Sequence, residues 1–101
     1  MLVDRDETLA ASEVVRFELV AGIRDDEVAA LEQFFSTVSW VAVGEEIGRA
    51  AGELARRYRR AYRGIDDADY FIAATALLLD ADLLTTNVRH FPMFPGLVSP
   101  Y

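Results

Sequence analysis

Carboxylates crowded at one point of the chain are the most suggestive chemical feature of this 101-residue sequence. Asp66, Asp67 and Asp69 lie at the start of a predicted helix. Asp66 as the N-cap and Asp69 at the third helical position would be favoured by the positive end of the helix dipole. Three neighbouring acids repel one another unless a cation lies among them, and hard divalent ions prefer oxygen ligands. Helix capping and metal binding both remain open for this group.

Glu18 is a second acid in an unusual setting. It follows Val14 by four positions and precedes Ala21 by three, which places it on an apolar face of a predicted helix beside small residues. A carboxylate on such a face needs a partner. The sequence indicates either a half-buried acid held by an arginine or a metal ligand.

Polar residues follow the last predicted strand. Thr86, Asn87 and His90 lie where that strand passes into a loop, and the carboxyl ends of parallel strands are where α/β proteins place their sites. His90 is the only histidine, which excludes a zinc site built from several histidines. A plain surface histidine is the alternative interpretation of His90.

Arginine is concentrated in one segment of a chain whose formal net charge is −7. Residues 49–63 contain six of the ten arginines and one acid, Glu53. Such a segment is either a solvated helix face or a local phosphate-binding surface, to which Tyr58 and Tyr62 would add base stacking. The acidic total excludes a protein that coats nucleic acid indiscriminately.

The remaining sequence predicts a single α/β domain over residues 1–101. The length fits one domain, no apolar run is long enough for a membrane span, and the absence of cysteine favours a reducing cytoplasm. Alternating strands and helices indicate a mainly parallel sheet. The predicted strands are 8–12, 38–43 and 82–86, and the predicted helices are 13–23, 25–35, 44–62 and 66–79, with a loop over 91–97.

Three segments, in this order, resemble the PIN-domain ribonucleases and among them the VapC-type toxins of toxin–antitoxin pairs. Residues 9–22 read LAASEVVRFELVAG and resemble the second strand and helix of that family. Residues 69–76 read DYFIAATA and are similar to its D-x-x-I-A-A-T-A helix. Residues 83–91 read LLTTNVRHF and resemble its L-x-T-x-N-x-x-D/E-F strand and loop.

The resemblance implies a three-layer α/β/α fold and a toxin that hydrolyses RNA with Mg²⁺ or Mn²⁺, paired with a VapB-type antitoxin. Glu18 and Asp69 would be catalytic metal ligands, with Asp66 and Asp67 as further members of the metal site. Thr86, Asn87 and His90 would lie at the edge of the site or against substrate. The residues that would hold the RNA backbone are Arg56, Arg57, Arg60 and Arg63.

Two departures from the family pattern accompany the resemblance. The first strand and helix of the family are not found, so the domain is expected to be N-terminally truncated, and residues 1–4 imitate that strand by chance or substitute weakly for it. The neighbouring strand would then be unpaired, which predicts a homodimer or higher oligomer. His90 stands where the family usually has an acid. A catalytically inactive module that binds an antitoxin or itself is therefore an alternative, and an unrelated structural α/β protein is a third.

Overall fold

The chain forms four strands and four α-helices within the residues that the computed structural model describes, which are 2–5, 8–84 and 88–96. No helix in these ranges is long and apolar enough to span a bilayer. Two short 3-10 helices, Asp25–Glu27 and Val88–His90, complete the described elements. In chain order the main elements are β1 Leu2–Arg5, β2 Thr8–Ser12, α1 Glu13–Gly22, α2 Val28–Phe35, β3 Ser39–Val41, α3 Glu45–Tyr58, α4 Asp67–Leu78 and β4 Asp82–Leu84.

The sheet has the strand order β3-β2-β1-β4. Strands β2 and β3 are parallel, with Ala11 opposite Trp40. Strand β1 is antiparallel to both β2 and β4, so β2, β3 and β4 all run in one direction. The α/β class is confirmed, and β1 is the one described strand that departs from the parallel arrangement.

Strand β1 corrects the expectation of an unpaired strand. Val3 lies opposite Ala10 on one side and Leu83 on the other, so the backbone of β1 is bonded to both neighbours. Residues 2–5 therefore occupy an inner position of the sheet instead of imitating a strand by chance. The unpaired edge that predicted self-association is absent at this place in the described sheet.

Local capping explains where the helices begin and end. The Val14 N–H donates to Ser12 Oγ at 3.1 Å, which confirms Ser12 as the cap of α1. The predicted helix 25–35 is divided, because the Arg24 N–H donates to Glu27 Oε1 at 2.9 Å and closes a separate 3-10 turn before α2. Helix α3 ends at Tyr58, four residues earlier than predicted.

Helix α4 lies between the sheet and α3. One side places Ile72, Ala73 and Ala76 against the alanines of β2 and Leu83 of β4. The opposite side places Tyr70 and Ala74 against Ile47 and Ala51 of α3. Because its alanines allow neighbours to approach closely, α4 is buried on two sides, and this position fixes the carboxylates at its first turn.

Candidate active site

The first turn of α4 holds Asp69 in a fixed position. Asp66 is the N-cap and Asp69 the third helical residue. The Asp69 N–H donates to the Asp66 carbonyl at 3.0 Å, and the Asp66 N–H donates back to Asp69 Oδ2 at 3.3 Å. The capping positions expected from the sequence are thus confirmed. Asp69 is nevertheless only 4% exposed, which capping alone does not require.

His90 supplies the second contact of Asp69. Its Nδ1 lies 2.9 Å from Asp69 Oδ2, across 21 residues of chain. The imidazole is half-buried by this contact, so the interpretation of His90 as an ordinary surface histidine is wrong. The 3-10 helix Val88–His90, which follows β4, carries the imidazole to the start of α4.

Glu18 lies on α1, which packs against α4. Helix α1 packs on the core through Val15 and Leu19, while Glu18 faces solvent and does not lie on the buried stripe. Arg16 does not hold Glu18, because its Nε bonds Glu13 Oε1 at 2.6 Å and its guanidinium covers the Trp40 ring at 4.1 Å. The sequence left open whether Glu18 is an acid held by an arginine or a metal ligand. The arginine of α1 does not support the first of these.

Glu18 and Asp69 both have raised pKa values. Partial burial raises the pKa of Glu18, and the nearby negative charges of Asp69 and Asp66 raise it further. Burial also raises the pKa of Asp69, against the lowering effects of the Asp66 backbone N–H and of His90. Helix α1 packs against α4, and the negative charge of Asp69 is near enough to raise the pKa of Glu18.

The donor set fits a hard divalent cation. Mg²⁺ is commonly held by one or two carboxylates together with water and substrate phosphate, and Glu18 and Asp69 supply two carboxylates whose repulsion a cation would relieve. Within residues 2–5, 8–84 and 88–96, no larger group of three or more metal-ligating side chains is assembled. The arrangement suits an open, water-completed site and not a closed structural cage.

Asp67 points to a different partner. It accepts a hydrogen bond from Arg59 Nη2 at 2.6 Å and is largely exposed. This ion pair joins the turn after α3 to the first residue of α4. Asp66 is also exposed. Of the four acids expected together, Glu18 and Asp69 remain as candidate metal ligands. Asp66 bonds Asp69 through its backbone N–H, and Asp67 pairs with Arg59.

The arginines form an exposed basic surface on and after α3. Arg56 pairs with Glu53 at 2.8 Å and Arg49 with Glu45 at 3.1 Å. Such exposed pairs contribute at most about 1 kcal/mol, so these cations remain available to phosphate. Within this basic surface, the exposed arginines without an ion pair to any described residue are Arg57, Arg60 and Arg63.

An open cleft of about 500 Å³ lies beside His90. Arg89, Ile65 and Pro92 line it with Tyr62 and Gly64, and no sequence pattern had indicated these three residues. They come from the segment after α3 and from the 3-10 helix Val88–His90 with the residues that follow it, and the available signal was the adjacency of Arg89 and His90. Thr86 and Asn87, which were expected at the edge of the site, lie outside the described residues.

Comparison with known proteins identifies the family of this chain. A family model described as the PIN domain matches residues 2–94. The chain therefore belongs to the PIN-domain family. The interpretation as an unrelated structural protein is wrong.

Two relatives from Mycobacterium tuberculosis indicate which type of PIN-domain protein this chain is. Ribonuclease VapC19 is 66% identical over 100 residues, which cover 99% of this chain and 80% of that protein. Ribonuclease VapC10 is 41% identical over 97 residues, which cover 96% of this chain and 73% of that protein. Within the PIN-domain proteins the chain is a VapC-type nuclease.

Proposed function

We propose that this protein is a Mg²⁺- or Mn²⁺-dependent endoribonuclease and the toxin of a type II toxin–antitoxin pair in the cytoplasm. The observation that carries the proposal is the contact between α1 and α4, the helices that carry Glu18 and Asp69, together with the raised pKa of each acid. Functional sites are where acids with perturbed pKa values are brought together. The names of the two relatives, both called ribonucleases, support RNA as the substrate.

Glu18 and Asp69 would hold the divalent cation. When bound, such an ion lowers the pKa of a water molecule and offsets the negative charge of the phosphate. Glu18 is open to solvent, so a water molecule can reach its carboxylate and give up a proton to it. The water oxygen would bond to phosphorus, an ester P–O bond would break, and the leaving oxygen would take up a proton from solvent. His90 keeps the Asp69 carboxylate in one orientation.

The surrounding residues would bind substrate and partner. Arg56, Arg57, Arg60 and Arg63 would neutralise RNA phosphates. Asp66 would support the metal site through its backbone bond to Asp69, Asp67 would brace the start of α4 through Arg59, and Thr86 and Asn87 would contact substrate. A VapB-type antitoxin is the expected protein partner.

One observation favours an inactive binding module as the second candidate. Asp69 Oδ2 is already bonded to His90 and to the Asp66 N–H, and an imidazole supplies no negative charge that would help to hold Mg²⁺. In that case the chain would retain the toxin's shape and bind an antitoxin without cleaving RNA.

Cleavage of fluorescently labelled single-stranded RNA separates the two candidates. The wild-type chain should cleave with Mg²⁺ or Mn²⁺ and stop when EDTA is added. Asp69→Asn, which keeps the shape and removes the charge, should lose the activity. Asp80→Asn is the matched control, because Asp80 follows the opposite end of α4 and asparagine tolerates its φ of 51°.

The inactive module predicts a different pattern. It would bind RNA or antitoxin in the presence of metal without any product that EDTA suppresses. Cleavage that persists in EDTA, or that Asp69→Asn leaves unchanged, would contradict the proposed metal-dependent mechanism.

A further inference from the structure

The cleft beside His90 has the chemistry of a nucleobase site. We propose that it binds one base of the RNA substrate next to the phosphate that reacts, and so contributes to sequence preference. This inference rests on the proposed nuclease function for its substrate class. Its position follows from His90, which lines the cleft and contacts Asp69 at 2.9 Å.

The walls of the cleft suit a flat aromatic ligand. Tyr62 is 45% exposed, so a large part of its ring surface is uncovered, and the half-buried Ile65 and Pro92 add apolar surface. A volume of about 500 Å³ lies inside the usual range for small-ligand sites. Bases stack on exposed tyrosine rings in proteins that bind single-stranded nucleic acid.

Polar groups at the cleft would orient the base and its phosphate. Arg89 is exposed and makes no ion pair with the described residues, so its guanidinium can contact a phosphate or a base oxygen. His90 uses Nδ1 for Asp69, and its Nε2 makes no hydrogen bond to the described part of the chain. That nitrogen is the group able to contact a base edge or a backbone oxygen.

The aromatic component distinguishes this cleft from the basic surface of α3. Arg49, Arg56 and Arg60 line a separate open groove, and none of the described residues that line it is aromatic. That groove has the composition of a backbone-binding surface. Tyr62, by contrast, rests against Tyr58 with a centroid separation of 5.9 Å, which holds its ring in place for stacking.

Nucleotide binding observed at Gly64 tests the cleft independently of catalysis. The ¹⁵N-labelled full chain carrying Asp69→Asn would be titrated with each of the four nucleoside 5′-monophosphates and with ribose 5-phosphate. The amide resonance of Gly64, which lines the cleft, is the reporter. At least one nucleotide should shift it and bind about tenfold more tightly than ribose 5-phosphate, because only the nucleotide carries a base to stack.

Three variants assign the effect to the aromatic ring. In the same background, Tyr62→Ala should weaken nucleotide binding about tenfold, whereas Tyr62→Phe should retain it because the ring remains. Phe34→Ala removes a comparably exposed aromatic residue, 40% exposed, from α2 and should leave binding unchanged. Circular dichroism would confirm that each variant is folded.

The inference fails if ribose 5-phosphate binds as tightly as every nucleotide, if Gly64 does not respond, or if Tyr62→Ala binds like its parent. Its failure is distinguishable from failure of the nuclease proposal. Metal-dependent RNA cleavage by the wild type without nucleotide binding would overturn the base site alone. Nucleotide binding without any cleavage by the wild type would overturn the nuclease function and leave the base site standing.

Discussion

Helices α3 and α4 pack against each other but expose very different surfaces. In α4, Asp69, Tyr70 and the whole run from Ile72 to Ala76 are buried. In α3 only Ile47 and Ala51 are buried, and the outer face carries charge. Asp69, the proposed metal-binding acid, is held by the core, whereas the proposed phosphate-binding arginines are held only by α3, by the turn that follows it and by weak surface pairs.

This difference separates the effects of substitution. Changes at the start of α4 should alter chemistry, changes in its buried run should alter stability, and changes on α3 should alter RNA affinity and its salt dependence. A substitution that changes a different one of these quantities from the one expected for its region would contradict this contrast between α3 and α4.

The largest effect is expected at the two acids. Asp69→Asn and Glu18→Gln should each lower the rate of metal-dependent RNA cleavage by about 10² or more, because each removes a charged ligand from the proposed cation site. The free energy of unfolding should be unchanged or higher for Asp69→Asn, since a buried charge with a raised pKa is removed. Single-turnover kinetics and urea denaturation measure the two quantities. A stability loss that accounts for the lost activity would contradict the assignment.

The next effect concerns the buried run of α4. Ala73 is 0% exposed, so Ala73→Leu should lower the free energy of unfolding by about 1–3 kcal/mol through overpacking. Leu77 on the same helix is 49% exposed, and Leu77→Ala should change stability by less than about 0.5 kcal/mol. Equal effects in urea denaturation would show that α4 is not buried as described.

A smaller effect is expected on the basic surface. The double variant Arg57→Gln/Arg60→Gln should weaken binding of single-stranded RNA several-fold, and each lost phosphate contact should reduce the slope of log K against log salt by about 0.7. Arg24→Gln makes one of the same charge changes outside the cluster and should leave the slope unaltered. Fluorescence anisotropy at several salt concentrations checks both. An unchanged slope in the double variant would remove these two arginines from the RNA interface.

The smallest effect is a pH dependence of stability in metal-free protein. The pKa values of Glu18 and Asp69 are raised in the folded state. At a pH between their unfolded-state and folded-state pKa values, the folded chain therefore binds more protons than the unfolded chain. Their contribution should therefore lower stability as pH rises from about 4 through the raised folded pKa values. Asp69→Asn should flatten this part of the profile. If Asp69→Asn and the wild type showed the same dependence of stability on pH, the pKa of Asp69 would not be raised in the folded chain.

Local chemistry made much of the fold predictable. The Ser12 cap, the apolar run of α4 and the placement of Asp66 and Asp69 at its first turn all depend on residues within a few positions of one another. The division of helix 25–35 was not predicted, because Glu27 closes a turn with the Arg24 backbone that propensity alone does not reveal.

Non-local contacts explain what the sequence did not show. The inner position of β1 depends on pairing Val3 with both Ala10 and Leu83. A strand of only four residues gives no local signal that it has two antiparallel partners. The contact between His90 and Asp69 joins residues 21 positions apart. The exposure of Glu18 was missed for a different reason: the buried stripe of α1 is centred on Val15, and periodicity places Glu18 only near its edge.

Direct measurement of Mn²⁺ binding tests the central claim that Glu18 and Asp69 form one cation site. Electron paramagnetic resonance of free Mn²⁺ would be followed as wild-type chain, Glu18→Gln, Asp69→Asn and Asp80→Asn are added, with Mg²⁺ as competitor. The account predicts binding by the wild type and Asp80→Asn, and affinity at least about tenfold weaker in each of the other two variants. Equal Mn²⁺ affinity in all four proteins, or no binding by the wild type, would contradict it.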